Sequence, residues 1–106
     1  MRFLLVDDSH AMRHIQRTIL ESLGSVEFAE AADGVEALDL ISKAPTPFDL
    51  MLIDWPLIML TIQTDKDRAI DAIRAGVNDY VVKPFTPEML LDRVHQTLRK
   101  SRKTAA

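Results

Sequence analysis

Short apolar runs alternate along this chain with apolar residues set at helical spacing. Arg2–Val6 (RFLLV) is a nearly continuous apolar run of strand length. Ala11, Ile15, Ile19 and Leu23 then recur at the interval of a helix, with Ser9 placed to cap it and Gly24 to end it. Val26–Ala31 (VEFAEA) alternates apolar residues with charge, as an edge strand does. Val35, Leu38 and Ile41 form the stripe of a second helix, which ends at Ala44–Pro47 (APTP). Phe48–Asp54 (FDLMLID) and Leu57–Thr61 (LIMLT) read as two buried strands, apolar on both faces and separated only by Trp55 and Pro56. A third helix follows over DKDRAIDAIRAG, then a strand over Asp79–Lys83 (DYVVK). The last helix has Thr86 as cap and Pro87 at its first position.

This order, βαβαββαβα, predicts an α/β fold: a doubly wound parallel sheet of five strands, covered by helices on both sides. Nothing divides the chain, so residues 1–106 are expected to form one domain. In such sheets the reactive groups lie beyond the carboxyl ends of the strands. The predicted strands end in Asp7 and Asp8, in Asp54, in Thr61, and in Lys83 followed by Pro84. Three carboxylates in one place repel each other unless a cation joins them. Mg²⁺ takes oxygen ligands, and a lysine pairs with an acid as a point charge. Such a pocket suits phosphoryl transfer, with a carboxylate as nucleophile and an aspartyl-phosphate as product.

Each feature alone has a plainer reading. Asp-Asp-Ser after a strand serves as a helix cap, a threonine at a strand end serves a turn, and Lys-Pro ends a surface strand. Asp54 is the hardest to dismiss, because a carboxylate directly after an apolar strand is costly unless partnered.

Composition narrows the classes. Thirteen basic against sixteen acidic residues leave a net charge of −3, which does not suit a nucleic-acid binder. The basic run Arg99–Lys103 (RKSRK) reads as the solvated end of a helix. With no cysteine, thiol catalysis, disulfides and thiolate metal sites are excluded. No apolar run approaches the ~20 residues of a membrane span and no signal peptide is present, so a cytoplasmic protein is expected. No Gly-x-Gly-x-x-Gly follows the first strand, which argues against dinucleotide binding. His10, His14 and His95 are expected on helix surfaces, not as a ligand cluster.

The blocks LLVDDSHAMRHIQRTIL, FDLMLIDW, LIMLT and AIRAGVNDYVVKPFT, in this order, resemble the receiver domains of two-component response regulators, of the single-domain CheY-like kind. The resemblance covers nearly the whole chain. It implies the flavodoxin-like strand order 2-1-3-4-5. It implies that Asp54 accepts a phosphoryl group from a sensor histidine kinase or phosphotransfer protein, either as a switch or within a phosphorelay. Mg²⁺ would be held by Asp7, Asp8 and Asp54, with the backbone carbonyl of Pro56 as a further ligand. Lys83 and Thr61 would contact the phosphoryl oxygens, Tyr80 would follow Thr61 inward, and the Lys83–Pro84 bond would be cis. The surface from about Asp65 to Arg99, the family's α4–β5–α5 face, would show the phosphorylation state to a downstream protein. Such a protein is a phosphoacceptor, not an enzyme acting on a separate substrate.

One part departs from the family pattern. The loop and crossover helix that follow the phosphoacceptor strand are missing between Pro56 and Leu57. Adjacent parallel strands need a crossover of at least ~10–12 residues, and two residues span at most ~7 Å. Three arrangements meet this constraint. Residues 1–55 of one chain could complete a lobe with residues 57–106 of another, giving a homodimer by domain swapping. A further segment could belong between them. Or the fold could be rearranged. Ile62, where the family has a small residue, would either narrow the phosphorylation pocket or pack. The other function class to weigh is a pseudo-receiver, or an engineered or truncated scaffold, acting only by protein contact. A haloacid-dehalogenase-like phosphohydrolase is disfavoured, because its acids are spaced Asp-x-Asp on the first strand.

Overall fold

The computed structural model describes residues 1–24, 26–62 and 65–105. Its elements are β1 (Arg2–Val6), α1 (His10–Glu21), β2 (Glu27–Ala31), α2 (Gly34–Lys43), β3 (Leu50–Ile53), α3 (Trp55–Thr61), α4 (Lys66–Ala75), β4 (Tyr80–Val82) and α5 (Pro87–Ala105). The described strands form one parallel sheet in the order β2-β1-β3-β4.

Alternation along β1 and β3 gives the sheet two buried faces. Leu4, Val6, Met51 and Ile53 enter a core with Ala37, Ile58, Ala69 and Ile73, from α2, α3 and α4. Phe3, Leu5, Leu50 and Leu52 enter the opposite core with Leu20, Leu90 and Val94, from α1 and α5. The sheet is therefore doubly wound, as expected. The expected caps are also made: Ser9 Oγ accepts from Met12 N–H (3.2 Å), and Thr86 Oγ1 accepts from Met89 N–H (3.1 Å). Gly24 follows α1 with φ of 111°, a left-handed conformation suited to glycine. Helix α5 is helical to Ala105, but the side chains of the basic run beyond Arg99 lie outside the described residues.

The expected strand over Leu57–Thr61 is a helix instead, and among the described residues the sheet has four strands, not five. Asp54 is the N-cap of α3, its Oδ1 accepting from Leu57 N–H (3.1 Å), and Pro56 lies in the first turn. A carboxylate cap followed two residues later by proline is a helix-start signal. A four-residue apolar run does not by itself separate buried helix from buried strand. Here topology decides: no parallel strand can follow β3 after two residues, whereas a helix can. So the missing element is a strand, while a helix does leave β3. Helices α3 and α4 together carry the chain from β3 to β4, which pairs directly with β3 through Met51–Tyr80, Leu52–Val81 and Ile53–Val82. The case for exchange between chains rested on two consecutive strands. The second is not formed, so that premise is gone.

The buried side of α1 is also turned from the expected stripe. Gln16 and Leu20 are buried, while Ile15 is half exposed.

Candidate functional site

The site is built by strand register. Leu5 pairs with Leu52, and Ile53 with Val82. Continued past the strand ends, the same register sets Asp7 beside Asp54 and Asp54 beside Lys83. Two backbone bonds extend the pairing past the strand ends: Asp7 N–H to the Ala31 carbonyl and Lys83 N–H to the Ile53 carbonyl, both 3.0 Å. Each of the three residues follows by two a residue of the α1/α5 core, namely Leu5, Leu52 and Val81. The pleat therefore directs all three to one side of the sheet edge, about 5 Å apart from strand to strand.

Asp7 is 2% exposed. Its Oδ1 accepts from Ser9 N–H (2.8 Å), and its Oδ2 pairs with the Lys83 ammonium. Lys83 thus reaches across the interval of β3, whose next residue is Asp54, to an acid two strands away. The main-chain carbonyl of Asp7 accepts from Arg13, whose Nε also pairs with Glu30 (3.1 Å). Glu30 is shared with Arg17 (3.1 Å). This support from α1 and β2 has no short sequence motif, and only the fold reveals it.

Burial holds the Lys83 ammonium below its ordinary value of 10.5. Between the lowered value and 10.5 the unfolded chain binds more protons at this lysine, so its contribution makes stability rise with pH across that window. An NMR titration of the Lys83 side chain should show a midpoint below 10.5. A midpoint at or above it would mean that the ion pair dominates.

The other expected site residues are placed as follows. Asp8 is exposed beside Asp7. The Lys83–Pro84 bond is cis. Tyr80 packs edge-to-face on Trp55, with ring centroids 6.2 Å apart, next to Asp54. Thr61 is not brought to the acids. It lies at the far end of α3, where its hydroxyl accepts from Gly34 N–H (2.8 Å) and donates to the Leu57 carbonyl (2.8 Å). Ile62 packs in the core, 3% exposed. Pro56 does not suit a metal: in the first turn of α3 its carbonyl points along the helix, away from Asp54. Lys83 occupies Asp7, and among the described residues no three His, Asp or Glu side chains are grouped to hold a metal ion. As folded, these residues do not fit Mg²⁺.

A doubly wound parallel α/β sheet with two in-register carboxylates and an ammonium at its carboxyl edge defines the class of the domain. The comparisons give the family. The chain is 36% identical to the chemotaxis protein CheY homolog of Campylobacter jejuni, covering 92% of each chain. It is 32% identical to the chemotaxis protein CheY of Pseudomonas aeruginosa, covering 94% of this chain and 98% of that one. Among solved structures it resembles the receiver domain of the hybrid histidine kinase CckA (TM-score 0.65, 32% identity, 92% and 99% covered). It also resembles a CheY-like receiver domain from Methanospirillum hungatei (TM-score 0.65, 26% identity, 97% of each covered). No family model matches the chain. The chain belongs to the CheY-like response regulator receiver domains. Its alignments to the two curated relatives run over 121 and 123 positions, longer than its own 106 residues, so each relative carries residues with no counterpart here.

Proposed function

We propose that this chain is a two-component signalling receiver that takes a phosphoryl group on Asp54. The observation that carries this reading is the row Asp7–Asp54–Lys83, in register on three neighbouring strands. A free oxygen of the Asp54 carboxylate attacks the phosphorus of a phosphohistidine on a sensor kinase or phosphotransfer protein. The P–N bond breaks, the imidazole leaves and takes up a proton, and an acyl phosphate remains on Asp54. Lys83, released from Asp7, neutralises the phosphoryl oxygens. The chain then acts as a substrate of its own chemistry, not as an enzyme. Its output would be read by a downstream protein on the face formed by α4, β4 and α5, where Val82 and Met89 are exposed. No described helix is long and apolar enough to cross a membrane, which agrees with a cytoplasmic role. The residues absent relative to the relatives are best placed between Pro56 and Leu57, where the family pattern breaks.

Mg²⁺ at Asp7, Asp8 and Asp54 belongs to this reading only if Lys83 leaves Asp7. Trp55, the sole tryptophan, adjoins Asp54 and reports on both events. Mg²⁺ is expected to change its fluorescence, and phosphoramidate to change it further with a phosphoryl adduct visible by mass. A second reading, a scaffold without phosphotransfer, is favoured by the engagement of Thr61 with α2. No adduct and no fluorescence response in the unmodified chain would select that reading.

A further inference from the structure

Asp7 is held through its main chain as well as its carboxylate. Its N–H donates to the Ala31 carbonyl at the end of β2 (3.0 Å), and its Oδ1 accepts from the N–H of Ser9, the cap of α1 (2.8 Å). Its carbonyl, which belongs to the peptide leading to Asp8, accepts from Arg13 Nη1. The same guanidinium donates from Nε to Glu30 Oε1 on β2 at 3.1 Å. Arg13 is therefore a bridge from α1 to β2 that passes through the Asp7–Asp8 peptide. The bridge is sheltered, since the Arg13 side chain is 13% exposed. Its far end is braced by Arg17, which pairs with the other oxygen of Glu30 (3.1 Å) and lies over the Phe28 ring, 5.0 Å from its centroid. A guanidinium is a rigid planar fork, so it can aim two N–H donors at two acceptors at once. Among the described residues Arg13 bonds to neither Asp54 nor Lys83.

We propose that Arg13 is a positioning residue for phosphoryl transfer, acting through Asp7 and anchored by Glu30. The bridge fixes the plane of the peptide after Asp7, and with it the direction in which the Asp7 carboxylate leaves the sheet edge. That carboxylate holds Lys83 across the end of β3, where Asp54 follows. Without the bridge the end of β1 is free to turn, and the row Asp7–Asp54–Lys83 loses its alignment. The inference rests on the phosphoacceptor reading of Asp54. It adds to that reading a helix residue and a strand-interior acid, neither of which lies at a strand end.

Arg13→Lys keeps the charge, but an ammonium reaches the Asp7 carbonyl or Glu30, not both. Glu30→Ala cuts the bridge at its far end and leaves Arg13 and every strand-end residue in place. Glu30→Gln keeps an oxygen that accepts from Nε. Labelling of Asp54 is followed by mass over a range of phosphoramidate concentrations. Amide exchange is followed at Ser9, whose N–H reports the Asp7 carboxylate, and at Leu52 as the core reference. Arg13→Lys and Glu30→Ala should each lower the limiting labelling rate by about tenfold, since small misplacements of reacting groups are costly. Both should speed exchange at Ser9 relative to Leu52. The half-saturating phosphoramidate concentration should stay constant, because the guanidinium does not touch the donor. Glu30→Gln should lose less rate than Glu30→Ala. A labelling rate in Arg13→Lys equal to or above that of the unmodified chain overturns the proposal. So does a fall in rate with Leu52 exchanging as much faster as Ser9, which is general loosening. If Arg13→Lys does not fold, the two Glu30 variants decide by the same readouts. No label on the unmodified chain ends the phosphoacceptor reading and this proposal with it. Label on the unmodified chain with unaltered rates in Arg13→Lys and Glu30→Ala ends this proposal alone.

Discussion

Asp54→Asn is expected to abolish phosphoryl incorporation while leaving stability nearly unchanged. Asp54→Ala is expected to abolish it and also to cost about 1 kcal/mol. The two differ because Asp54 has two tasks. Its Oδ1 caps α3 through Leu57 N–H, and its carboxylate supplies the attacking oxygen. Asparagine is as good a cap as aspartate, so the amide keeps the first task, but it is no nucleophile. Alanine loses both, and losing a cap of this kind typically costs about 0.5–2 kcal/mol. Mass measurement after phosphoramidate treatment checks the chemistry, and urea denaturation checks the cap. Label retained in Asp54→Asn would move the acceptor to another acid, with Asp7 or Asp8 the first to test. Equal stability of the two variants would mean that α3 does not depend on the Asp54 cap.

The same residue shows what was legible in the sequence. Continuous apolar runs located β1 and β3, because strands buried on both faces show no polar alternation. The rule that α/β sites gather at strand ends then singled out Asp7, Asp54 and Lys83, which the register sets in one row. Residues 57–61 were misread because apolarity records burial and not conformation. Ile58 is fully buried in a helix as it would have been in a strand. The deciding signals are the Asp54 cap and Pro56, which fit a strand end and a short link as well as a helix start. The short link between Asp54 and Leu57 allowed exchange between chains, a further segment or a rearranged fold, and the helix over Trp55–Thr61 is the rearranged case. In α1 the helix was found but its rotation was not. The more apolar stripe through Ile15 faces outward, and Gln16 takes the inner position with its amide unpartnered among the described residues. Nor does sequence say which acid a lysine will choose. Lys83 passes Asp54 for Asp7, the more deeply buried of the two acids.

That choice leads to the larger stability effect. Lys83→Ala should destabilise the fold by about 2–3 kcal/mol. It leaves Asp7, 2% exposed, without its cation. Breaking a fully buried pair typically costs about 3–5 kcal/mol, but the Lys83 side chain is 25% exposed and solvent screens part of the interaction. Asp7→Asn should cost less. The amide oxygen can still accept from Ser9 N–H, and the freed lysine can extend its ammonium into water. The double variant Asp7→Asn/Lys83→Ala should be more stable than the sum of the single losses implies, by about 1 kcal/mol or more, because the second change removes the orphaned charge left by the first. Denaturant unfolding of the four proteins measures this coupling. Additivity within about 0.5 kcal/mol would show that the pair does not hold in solution. The same variants test the link to function. If Lys83 occupies the place a divalent cation would take at Asp7, Lys83→Ala should bind Mg²⁺ more tightly than the unmodified chain while losing much of its labelling by phosphoramidate. Weaker Mg²⁺ binding in that variant would mean that the lysine does not compete for Asp7.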